Sequence, residues 1–89
     1  MIDSRLGRVA EAISDAELET DPVMKLRIVR EAIAEYAGFA DEFPATDSGV
    51  KVVATRLGLA ERYVRLGDWR SAGATLRLAG EEIQVVINR

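Results

Sequence analysis

The chain has 89 residues, room for one domain and no more, with a net charge of −3 and an apolar fraction of 48%. It contains no Cys and no His, so a disulfide framework, a Cys nucleophile, a Ser-His-Asp triad and the usual zinc sites are excluded. Aromatic residues make up only 6%, so the core has to come from Ala, Val, Leu and Ile.

Charge is distributed unevenly. Residues 1–44 carry five basic and ten acidic side chains, and residues 45–89 carry seven basic and five acidic. The two halves are expected to attract each other, within one chain or across a dimer. An acidic protein with scattered Arg lacks the electrostatic footprint of a nucleic-acid binder, and no nucleic-acid partner is expected. Apolar runs such as Val85-Val86-Ile87 fall far short of the roughly twenty residues of a membrane-spanning helix. Met1-Ile2-Asp3-Ser4-Arg5 lacks a basic region followed by an apolar stretch, so no secretory leader and a cytoplasmic location are expected.

Four segments show helical periodicity and none shows sustained strand alternation. The first is predicted over 4–19, with Asp3 or Ser4 as cap and a stripe of Ile2, Leu6, Val9, Ile13 and Ala16. It stops at Thr20-Asp21-Pro22, because proline disfavours helical geometry in the residue before it. The second is predicted over 22–43, capped by Asp21 or Thr20, with Pro22 at its first position and Pro44 ending it. Its main stripe is Leu26, Val29, Ile33, Tyr36, Ala40 and Phe43. Beside this stripe run Ile28, Ala32 and Phe39, which have no obvious place in a four-helix core. They are the candidate self-association surface.

Residues 45–49 read as a loop, with Asp47 or Ser48 as the next cap. The third helix is predicted over 49–66, with the stripe Val50, Val53, Leu57, Ala60 and Val64. Gly67-Asp68 is a two-residue break, suited to a left-handed stop followed by a new cap. The fourth helix is predicted over 69–87, with Trp69, Ala72, Leu76, Ala79, Ile83 and Val86 on one face. So short a connection makes the last two helices antiparallel. Gly58, Gly73 and Gly80 are expected to permit close helix approach beside Ala54, Ala60, Ala72 and Ala79. The fold expected is all-α, one domain over 1–89, as an antiparallel four-helix bundle or two stacked αα-hairpins.

The segment Leu59-Ala60-x-x-Tyr63-x-x-x-Gly67-x-Trp69-x-x-Ala72-x-x-x-Leu76-x-x-Ala79 resembles a tetratricopeptide repeat, framed over residues 53–86. It departs from the family pattern at Arg56, where the opening Trp would stand, and at Gln84, where the closing Pro would stand. The resemblance implies peptide or partner binding on the third helix, through Ala54, Leu57, Glu61, Val64 and Arg65. Leu57 and Val64 also belong to a stripe suited to packing on the second helix.

Arg56, Arg62, Arg65 and Arg70 lie around the hairpin turn, where an acidic peptide, phosphates or the acidic first helix of a second subunit would suit them. The paired carboxylates Glu17/Glu19 and Glu81/Glu82 read as solvated faces. No catalytic, cofactor or metal residues are assigned. The function expected is a non-enzymatic helical protein–protein interaction module that self-associates or docks on a larger protein; the alternative is a partner-binding scaffold on the third helix.

Overall fold

The computed structural model describes residues 3–89. They form four helices: α1 (Ser4–Leu18), α2 (Pro22–Ala40), α3 (Ser48–Leu66) and α4 (Trp69–Ile87). The predicted stripe position Ile2 lies outside the described residues.

An aspartate caps every helix. Asp3, Asp21, Asp47 and Asp68 accept from the backbone amides of Arg5, Val23, Val50 and Ser71 at 2.9, 2.9, 3.2 and 3.1 Å. Each satisfies one of the amide donors that a first helical turn leaves without a partner. Pro22 takes the first position of α2, as its missing N–H and fixed φ favour. α3 ends at Gly67, in the left-handed region at φ 75°. The amides of Gly67 and Asp68 fold back onto the carbonyls of Val64 and Tyr63. This closure turns the chain in two residues and sets α4 antiparallel to α3.

α1 packs on α2, α2 on α3, α3 on α4, and α4 returns to α1. Among the described residues the backbones of the diagonal pairs do not approach. The chain is therefore a closed antiparallel four-helix bundle, 34 × 23 × 19 Å, and its two hairpins are the halves of one core. That core is aliphatic. Val9, Ile13, Val29, Val53, Leu57, Leu76 and Ile83 are its fully buried centre. Ala60 of α3 and Ala72 and Ala79 of α4 are completely buried. Among the described residues Lys25 and Tyr36 are the large polar side chains inside; Tyr36 donates to the Val50 carbonyl at 2.6 Å. Burial pushes its phenol up from 10 to about 12.

Three expectations are corrected. α2 ends at Ala40 rather than Phe43. The chain then tightens, with Glu42 and Phe43 donating to Phe39 and Ala40, and the Phe43 ring still packs 4.8 Å from that of Phe39. The inward face of α2 is Lys25, Val29, Ala32, Tyr36 and Phe39, one residue round from the predicted stripe, while Leu26, Ile33, Ala40 and Phe43 flank it. Gly58 and Gly73 do not serve close approach, since a Cβ at either meets nothing within 4 Å. Only Gly80 of the three lies near a neighbouring helix, with Ile13 Cγ2 at 3.6 Å from an added Cβ.

Candidate interaction surfaces

Ala32 and Phe39, read from the sequence as a self-association surface, are 2% and 5% exposed within the chain's own core. Ile28 is half-buried and packs against the same core. The extra apolar residues of α2 are used internally, because α2 touches both α1 and α3 and needs a broad apolar face. That surface is not available for docking.

The partner-binding set on α3 divides in two. Leu57 is 1% exposed and Val64 5%, so the expected open groove along this face is filled by the chain itself. Glu61 holds an ion pair with Arg30 of α2 at 3.0 Å. Arg65 is exposed, and together with the edge of Val64 it borders a shallow open groove between α2 and α3, of about 680 Å³. Leu26 and Ala34 line this groove with Arg27 and Arg30.

The larger apolar feature lies at one end of the bundle. Among the described residues seven large apolar side chains are exposed, and five of them belong to one end: Leu18, Val23, Met24, Leu66 and Trp69. Leu18 and Leu66 sit in the last turns of α1 and α3. Val23, Met24 and Trp69 sit in the first turns of α2 and α4. Antiparallel packing brings these four helix ends together, at the end that carries the two short turns. Leu18, Val23 and Leu66 are each more than 70% exposed, well beyond what a scattered surface residue needs to account for.

Lys25 holds this end together. Its side chain is buried, and its ammonium donates to the carbonyls of Ala16 and Glu19 at 2.5 and 3.1 Å. These carbonyls belong to the last turn and the C-cap of α1, where acceptors lack helical partners and the helix dipole favours a cation. The Trp69 ring covers the ammonium at 5.4 Å from its centroid. Burial lowers the Lys25 pKa from its ordinary value, and Glu17 and Glu19 offset part of that. Sequence reading misses Lys25 because a charged residue does not register in an apolar stripe. The available signal is its spacing to Val29, Ala32 and Tyr36.

The opposite end is polar. Arg5 bridges Asp3 and Glu42, and Arg89 pairs with Asp47 at 2.6 Å. The guanidinium of Arg89 and the capping amide of Val50 hold the Asp47 carboxyl down at about 2. Asp3, Glu42 and Asp68 are also held below the usual carboxylate range, by Arg5 for the first two and by Ser71 for the third.

The expected attraction between the two halves of the chain is met by Arg77 on Glu17, at 3.3 Å. Arg30–Glu61 runs in the opposite sense. Arg56, grouped from the sequence with the turn arginines, is taken by Glu82 at 3.0 Å. Arg62, Arg65 and Arg70 are exposed and make no ion pair among the described residues.

Among the described residues, no helix is long and apolar enough to cross a membrane, and no cluster of three or more Asp or Glu is placed to hold a metal ion. Compared with protein-family models, with curated proteins and with solved structures, the chain matches none.

Proposed function

We propose that the chain is a cytoplasmic, non-enzymatic protein–protein interaction module, which self-associates or docks on a larger protein. The observation that carries this reading is the gathering of Leu18, Val23, Met24, Leu66 and Trp69 at the turn end of the bundle. A small bundle whose core is already complete has no internal need for the exposed Leu18, Val23, Met24 and Leu66 side chains, and Trp69, which covers Lys25, leaves much of its own surface in water. Leaving them in water costs roughly 25 cal/mol per Å² of apolar surface relative to covering them. A partner is what covers them.

The test uses the intact chain and a Leu18→Glu/Leu66→Glu variant, both immobilised. Each is presented with the wild-type chain and with a soluble extract of the native host. The substituted positions are 78% and 71% exposed, so the variant keeps its core. The wild-type surface retains a protein, itself or a larger one, that the variant surface does not. Equal retention by the two surfaces contradicts the reading.

The groove between α2 and α3 supports a second reading. It preserves Val64 and Arg65 of the tetratricopeptide-like partner-binding set, and its arginines suit an acidic segment. In that case Arg27→Glu/Ala34→Glu, rather than the turn-end variant, abolishes retention.

A further inference from the structure

We infer that the turn end is covered by a second copy of the same chain, joined end to end about a two-fold axis. This rests on the interaction-module reading and names the partner. Charge identifies the occupant. The turn between α1 and α2 is acidic, with Asp15, Glu17, Glu19 and Asp21 on or beside it. The turn between α3 and α4 is basic, with Arg62, Arg65 and Arg70. In the closed ring of helices these two turns occupy opposite edges of the same end. The exposed apolar side chains belong to the helix ends on both edges.

One copy therefore carries both halves of a complementary pair. A two-fold axis running between the edges lays the acidic turn of each copy over the basic turn of the other, and both contacts form at once. The same axis sets the C-terminus of α1 against the N-terminus of α4 in the second copy. It also sets the N-terminus of α2 against the C-terminus of α3, so helix dipoles of opposite sign meet at every position. Not every charge is available. Glu17 is paired with Arg77. Asp21 caps α2, and Asp68, an acidic residue on the basic edge, caps α4. The charges offered to the second copy are Asp15 and Glu19 on one edge and Arg62, Arg65 and Arg70 on the other.

The area sets the strength. The end is bounded by the two short extents of the molecule, 23 × 19 Å, which falls well below the ~800 Å² per partner of a standard stable interface. The dimer is consequently weak and salt-sensitive, with a dissociation constant in the micromolar range or above.

The test is sedimentation equilibrium of four samples: the wild-type chain, Asp15→Lys/Glu19→Lys, Arg65→Glu/Arg70→Glu, and an equimolar mixture of the two variants. None of the four positions caps a helix N-terminus or lies in the core. The wild type dimerises, each variant alone is weakened by about tenfold or more, and the mixture recovers a dimer, because reversing one edge in each copy restores both contacts. Circular dichroism checks that each variant is folded. A salt titration of the wild type gives a measurement independent of the variants, and dimerisation falls as salt rises. A wild-type chain that stays monomeric at millimolar concentration overturns the inference, as does a mixture no tighter than its components. If the wild type is monomeric yet the turn-end surface still retains a larger protein, the interaction-module reading stands and only the second copy as occupant is lost. If neither occurs, both fail.

Discussion

Lys25 and the helical glycines are where single residues decide most. Lys25 closes the C-terminus of α1 from a position on α2, doing with one side chain what a C-terminal glycine does elsewhere. Lys25→Met keeps most of the buried stem and removes the donor. It leaves the carbonyls of Ala16 and Glu19 without that partner, and stability is expected to fall by about 1–3 kcal/mol in denaturant unfolding. The fluorescence of Trp69, the only tryptophan, changes in the folded state with the loss of the cation beneath it. Gly58 and Gly73 show the opposite behaviour. Each sits inside a helix where an added methyl meets nothing within 4 Å. Gly58→Ala and Gly73→Ala are expected to stabilise the protein by up to about 1 kcal/mol each, read as a raised denaturation midpoint. The sequence reading assigned both to close packing. The small residues that α3 and α4 bury completely are the alanines at 60, 72 and 79.

Helix positions were legible to different degrees, for physical reasons. The inward stripes of α1, α3 and α4 could be read directly from the spacing, although α3 is apolar on a second side as well, where Val52 and Tyr63 pack against the core. All four starts were marked by Asp, whose short carboxylate competes well for free amides. α2 was harder. It is apolar over much of its circumference, and a one-residue rotation changes its stripe while leaving Val29 and Tyr36 in common. The choice between the two stripes rests on tertiary contacts: Lys25 onto α1, and Tyr36 onto Val50. The loop after α2 is pinned by the Asp47–Arg89 pair, which also joins it to the C-terminus of the chain. Asp47 is depressed from 3.8 to about 2. A carboxyl lowered in the folded state contributes stability that is present above its unfolded value and lost as pH falls through the folded one. Melting temperature is therefore expected to fall between pH 4 and pH 2, and Asp47→Asn, less stable at neutral pH, is expected to show a flatter dependence over that window.

The whole molecule is polarised along its long axis. One end is closed by ion pairs of Arg5 and Arg89, and the other carries exposed Leu18, Val23, Leu66 and Trp69. The sequence conveyed the helix order and most of the core. It did not convey this polarity, because exposed apolar residues at helix ends read as stripe tails or turn neighbours until four ends are brought together. Leu18 and Val23 lay off every stripe, and that was the available signal. The surface expected on α2 disappeared for the converse reason, since a helix with neighbours on two sides buries what a lone stripe leaves over.

The most direct test of the account is a dilution series of the uniformly labelled wild-type chain, followed by amide and indole chemical shifts. From roughly 1 mM to roughly 10 μM, a range that spans a weak dimer, the shifts that move are those of Leu18, Val23, Met24, Leu66 and the Trp69 indole, while those around Asp3, Asp47 and Arg89 stay fixed. Shifts that move instead at Arg27, Arg30 and Ala34 in the groove between α2 and α3, or at the ion-paired end, or nowhere, contradict it.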